Sequence, residues 1–115
     1  MNRAIMTALF VLCASKSLAG FSGNDLYELC TSDTKSAKAV CETWISGFQA
    51  GIFAANLGAK TNLSACLPVG FTGNQAKLII EKFMKDFPAT LHNKAEVVAL
   101  FALSREFPCK GSNSN

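Results

Sequence analysis

The sequence predicts an all-α protein, a small bundle of about four helices stapled by two disulfides. Apolar residues recur at three- and four-residue intervals, no window shows sustained strand alternation or a hairpin dipeptide, and four cysteines remain once an N-terminal leader is set aside.

The leader is "MNRAIMTALFVLCASKSLAG", with basic Arg3, an apolar run from Ala4 to Ala14, and Ser17-Leu18-Ala19 offering small residues where a signal peptidase reads. Residues 1–19 are expected to be a cleaved signal peptide. The apolar run is too short for a permanent membrane span, and no later stretch reaches the about 18 residues one requires, so no membrane association is expected after cleavage. A lipoprotein reading through Cys13 is weak, because bulky Leu12 precedes it.

Residues 20–115 then form one domain, with a short polar tail from about 110. Cleavage removes Arg3 and Lys16, leaving nine basic against eight acidic side chains. Lys and Glu are scattered singly, so no basic stripe supports nucleic-acid binding.

The first helix is read from "FSGNDLYELCTS", where Ser22 and Asp25 make a capping box and Leu26, Leu29 and Cys30 share one side. The second follows in "SDTKSAKAVCETWISGFQAGIFAANLGAK": Ala37, Val40, Cys41, Trp44, Ile45, Phe48, Ile52 and Ala55 repeat at helical spacing, and Gly58 is placed to end it in the left-handed conformation. Gly47 and Gly51 lie inside this helix, where each costs ~1 kcal/mol relative to Ala. Close approach of a neighbouring helix is the expected compensation, and their flat side is a candidate homodimer face.

Pro68 in "CLPVGFTGNQ" stops a helix from running through, and Thr72 with Gln75 forms a second capping box. The third helix carries Ala76, Ile79, Ile80, Phe83 and Met84 on one face and ends at Phe87-Pro88. The fourth is expected from about Asn93, with Val97, Val98, Leu100, Phe101 and Leu103 apolar.

Cys13 leaves with the leader, and Cys30, Cys41, Cys66 and Cys109 remain, an even set suited to disulfides in an oxidising compartment. No Cys-x-x-Cys or Cys/His cluster occurs and His92 is the only histidine, so neither metal nor cofactor is expected. Cys30 ends the first helix and Cys41 begins the second, which suggests Cys30 with Cys41 and Cys66 with Cys109; the two crossed connectivities stay open. The loops so closed would constrain the unfolded chain by roughly 3 and roughly 4 kcal/mol.

Catalysis is not expected. Paired cysteines are not thiolates, His92 lies in the "PATLHNK" turn where it could be exposed or cap the last helix, and Asp25, Glu28, Asp33 and Glu42 surround a helix start and a polar turn. "PVGFTGNQ" lacks the Gly-Lys-Ser/Thr ending of a phosphate loop.

In combination, "GNDLYELC", "CETWISGFQAG", "CLPVGFTGNQ" and "FPATLHNKAEVVALFALSREFPC" resemble the Rap/Tai family of small periplasmic immunity proteins, over about Asn24 to Cys109. The resemblance implies a helical, disulfide-bonded, often dimeric protein that binds a peptidoglycan amidase effector of type VI secretion and blocks its cleft. The turns "GAKTNLSA" and "PATLHNKAE" supply the candidate partner contacts: Asn62, Leu63, His92, Asn93 and Lys94. The alternatives are a periplasmic chaperone, for which one His and eight acidic residues are modest machinery, and a carrier of small apolar ligands. Phe48, Phe53, Phe83, Phe87 and Phe101 could line a carrier's cavity, but the simpler expectation is that they fill the core.

Overall fold

The computed structural model describes residues 20–58 and 65–109. Four helices are present: α1 (Gly23–Thr31), α2 (Lys35–Gly58), α3 (Gly73–Asp86) and α4 (Ala95–Glu106), with one 3-10 turn at Pro88–Thr90. Helix α2 packs on α1 and α3, and α4 packs on α3 and α1.

Both capping boxes form. Ser22 Oγ accepts from the Asp25 backbone N–H while Asp25 Oδ2 accepts from that of Ser22, and Thr72 with Gln75 repeats the arrangement at the start of α3. Each box satisfies two helix-end donors that the first turn leaves without partners. Helix α2 ends at Gly58, and the residues that follow lie outside the described range. Helix α4 begins at Ala95, two residues later than the periodicity suggests. Its N-cap is Lys94, which has no side-chain acceptor to offer, so the strand-like entry to α1 supplies one: the Ala95 N–H donates to the Phe21 carbonyl at 2.9 Å. Ser22 and Lys94 form a backbone bridge there.

Both disulfides form in the suggested pairing, Cys30 with Cys41 and Cys66 with Cys109. The first joins the end of α1 to the first turns of α2; the second ties the segment before α3 to the chain beyond α4.

The core is aliphatic. Leu26, Ile45, Ile80, Met84, Val98 and Leu103 are its largest fully buried side chains apart from Cys41, and each contributes about 1.5–3 kcal/mol on burial. Ala95, Ala99 and Ala102 give α4 a small-residue face, which lets its backbone sit close to the neighbouring helices. The expectation that phenylalanines fill this core is corrected. Phe48 and Phe83 only pack against its edge, Phe53 is half-buried, and Phe87 and Phe101 are 36% and 51% exposed. Nor do the five line one cavity: Phe48 stacks on Trp44, whereas Phe83 packs against Phe87.

A second correction concerns the glycines. A methyl group at Gly47 or Gly51 would have nothing within 4 Å, so among the described residues no helix approaches them. Among the described side chains of α2 only Cys41 and Ile45 are fully buried; from Ser46 to Asn56 none is, and Phe48 and Ile52 pack against the edge of the core. The close approaches are at Gly23, against Leu91 and Val98, and at Gly73, against Ser46.

Candidate protein-binding surface

The most exposed large apolar side chain among the described residues is Val69, 93% exposed, at the tip of the turn joining the central junction to α3. Several contacts keep that tip from collapsing onto the protein. Cys66 is covalently tied to Cys109, its N–H donates to the Phe107 carbonyl at 2.8 Å, and Ala65 bridges to Pro108. Asn56 Nδ2 donates to the Ala65 carbonyl and Gln49 Nε2 to that of Phe71, so α2 holds both ends of the turn. Within it the Phe71 N–H reaches the Pro68 carbonyl at 3.1 Å, and Gly70 takes φ +86, a value that costs side-chain-bearing residues strain. Phe71 closes the base, edge-on to Phe107 with ring centroids 5.1 Å apart. The result is a bare isopropyl group on a braced turn.

Beside it runs the outer row of α3. Leu78, 67% exposed, lines a shallow depression with Pro68, Val69, Phe71 and Phe107, and also borders a second groove floored by Ile79, Phe83, Phe87 and Ala102. Residues 78 and 82, and 79, 83 and 87, follow one another at one helical turn, which is why they form a continuous ridge. Charges edge the second groove: Lys82 pairs with Asp86, and the Arg105 guanidinium lies 4.7 Å over the Phe87 ring with Glu106 beside it. An apolar centre with a charged rim is the composition of a protein-binding patch.

Catalytic groups do not converge on this surface. Among the described residues His92 is exposed and does not cap α4, and no buried polar or charged side chain occurs. The Ser22 backbone N–H and hydroxyl, both donating to its carboxylate, hold the Asp25 pKa below its ordinary value. Lys77 donates to Glu42 at 3.0 Å, which raises its pKa, and Glu81 3.9 Å away adds to the effect. Cys30, Cys41 and Glu81 bring possible ligand atoms within 4.8 Å of one another, but the two sulfurs are spent on each other in a disulfide and offer no thiolate pair to a metal.

Five partner contacts were expected from sequence. Asn62 and Leu63 fall outside the described residues. His92 and Lys94 are exposed, while half-buried Asn93 donates its side-chain amide to the Thr90 carbonyl and accepts the Gly23 N–H on its own carbonyl. That stretch therefore forms the seam between α1 and α4. Sequence reasoning treated "CLPVGF" as a junction and overlooked Val69 and Leu78. The available sign was the cluster of Cys, Pro and Gly around one valine, a composition that braces a turn without burying its tip.

A model of the Rap1a immunity proteins matches residues 22–109, most of the chain and all four helices. No curated protein matches it. The chain belongs to the Rap1a immunity protein family.

Proposed function

We propose that this Rap1a immunity protein neutralises a secreted effector by seating the braced Val69 turn and the Leu78 ridge in the effector's cleft. The observation that carries the reading is the turn itself, an apolar tip held by a disulfide, a backbone bridge and two side-chain hydrogen bonds from α2. A pre-ordered group loses little conformational freedom on binding, so more of its contact energy appears as affinity. Steric inhibition of this kind requires no catalytic residue of the inhibitor, in keeping with a non-enzymatic family.

The finer reading names the effector as a peptidoglycan amidase delivered by type VI secretion and places the encounter in the periplasm, after removal of residues 1–19 as a signal peptide. Two disulfides suit that oxidising compartment, and among the described residues no helix is long and apolar enough to cross a membrane. His92 and Lys94, with Asn62 and Leu63, are further candidate contacts at the edges of the complex.

A homodimer through α2 belongs to the same reading. Val40, Gly47 and Gly51 fall at helical spacing on a side that the described residues leave open, with half-buried Trp44 at its edge: Val40 is 51% exposed, and both glycines are open to an approaching backbone.

Co-expression tests the function. A panel of amidase effectors is directed to the periplasm with and without this protein while lysis is followed. Rescue that needs residues 1–19 supports the reading; no rescue by folded, oxidised protein would transfer it to a chaperone or carrier role.

A further inference from the structure

We infer that Cys66 is a thiol–disulfide exchange site, and that the Cys66–Cys109 bond opens to a dithiol reductant before the Cys30–Cys41 bond does, in the folded protein. The two staples differ in what surrounds their sulfurs. Cys30 and Cys41 are core residues, 9% and 0% exposed, packed where α1, α2 and α3 meet. The Glu81 carboxylate lies within 4.8 Å of both sulfurs. A thiolate attacking there must enter a cleft beside Tyr27, and the leaving sulfur would acquire its negative charge next to a carboxylate that Lys77 only partly offsets at 3.9 Å. Lys82 and Lys85 border that cleft, and they would draw an anion to its mouth without uncovering the sulfurs within.

Cys66 stands in the opposite situation. It is an exposed residue at the base of a solvent-facing turn, while its partner Cys109 is 3% exposed. Attack is therefore directed to the Cys66 sulfur. One thiolate of the reductant bonds to Cys66 Sγ, the S–S bond breaks, and Cys109 leaves as a thiolate that takes a proton from water. The second thiol of the reductant then attacks the mixed disulfide, releasing Cys66 as a thiol and the reductant as its cyclic disulfide. Two electrons pass from the reductant to the protein, and of the buried residues only Cys109 has to shift its sulfur.

The consequence is local. The Ala65–Pro108 bridge, the Cys66 to Phe107 hydrogen bond and the Phe71–Phe107 contact survive, as do the four helices and the staple between α1 and α2. What is lost is the covalent brace under the Val69 turn, so opening this one bond would loosen the surface proposed above for effector binding; only that last clause rests on the proposed function.

The test uses the oxidised protein, without denaturant, in limiting dithiothreitol. Samples are quenched with an alkylating reagent at intervals and the labelled cysteines are mapped by peptide mass, with far-ultraviolet circular dichroism recorded in parallel. Cys66 and Cys109 should be labelled at least ~10-fold faster than Cys30 and Cys41, with the helical signal retained, because buried disulfides wait for a structural opening. Glu81→Gln should speed labelling of the slower pair only. Equal rates, or earlier labelling of Cys30 and Cys41, would overturn the inference. A Cys66→Ser/Cys109→Ser variant that keeps its helices supports the claim that this bond is a local brace; were that variant unfolded, the wild-type order of labelling would still decide the exchange site.

Discussion

A methyl group on Gly23 would lie 2.9 Å from the carbonyl oxygen of Leu91, closer than side-chain carbons come to backbone oxygens. The first turn of α1 is thus seated directly on the chain entering α4, where Gly23 and Asn24 donate their N–H groups to the carbonyls of Asn93 and Leu91 at 2.8 Å each. Because the obstacle includes backbone, it cannot swing aside. Gly23→Ala should cost roughly 1–3 kcal/mol, as overpacked sites do, despite the better helix propensity of alanine. Urea unfolding would measure this, and an unchanged midpoint would contradict the packing.

Gly47 and Gly51 make the contrasting pair. With open space around both, Gly47→Ala and Gly51→Ala should each raise the stability of the monomer by about 0.5–1 kcal/mol. If α2 mates with a second copy there, the same changes lower the dimer fraction in light scattering. Gain in monomer stability with self-association unaltered would place the dimer interface elsewhere.

The Val69 turn yields a separation of binding from folding. Val69→Asp and Leu78→Asp alter side chains that are 93% and 67% exposed, so unfolding free energies should stay within about 0.5 kcal/mol of the parent. Effector binding should weaken roughly 30-fold or more, the effect of losing an interface anchor worth about 2 kcal/mol. Calorimetric titration against the effector that this protein neutralises would read the change, and wild-type affinity in both variants would refute the assigned surface.

The staples should differ in their effect on stability. The Cys30–Cys41 bond spans 11 residues and the Cys66–Cys109 bond 43, so the chain-entropy relation gives about 3 and about 4 kcal/mol for their removal as Cys-to-Ser pairs. Burial reverses the expectation for folding at 37 °C: Ser at Cys30 and Cys41 would place two hydroxyls in apolar surroundings, whereas in the second pair only the one at Cys109 would be buried. The shorter loop should therefore be the less replaceable one, as thermal melts of the two double variants would show.

Acid stability carries the signature of the α1 cap. Asp25 is more acidic in the folded protein than its ordinary value of 3.8, since its carboxylate accepts from the Ser22 N–H and hydroxyl. A depressed folded-state value means that the cap contributes fully above about pH 4 and is lost as pH falls through the folded-state value. Asp25→Asn should flatten that part of the acid-unfolding curve and leave the neutral-to-alkaline part parallel to wild type.

Much of the fold was legible because it is written in local chemistry. Ser22 with Asp25 and Thr72 with Gln75 announce two helix starts through contacts spanning three residues, and both boxes form. Pairing of Cys30 with Cys41 was suggested by their places on either side of one turn, and the structure forms it together with Cys66–Cys109 where the sequence left crossed connectivities open. Periodicity was a poorer guide to depth. Val40 and Phe101 keep helical register with buried neighbours yet are each 51% exposed, because register gives the direction of a side chain along its helix and not whether another element lies in that direction.

By itself, then, the sequence determined the fold class, the helix starts marked by capping boxes, the even set of four cysteines and the family resemblance, all of which rest on interactions between near neighbours or on residue type. Only the tertiary structure decided which glycines are needed for close packing, which aromatic residues remain at the surface, and that Val69 stands clear while α2 and the Cys66–Cys109 bond hold its turn. Those outcomes depend on what the other helices place opposite each residue, and burial, unlike a cap or a turn, is a property of the assembled surfaces.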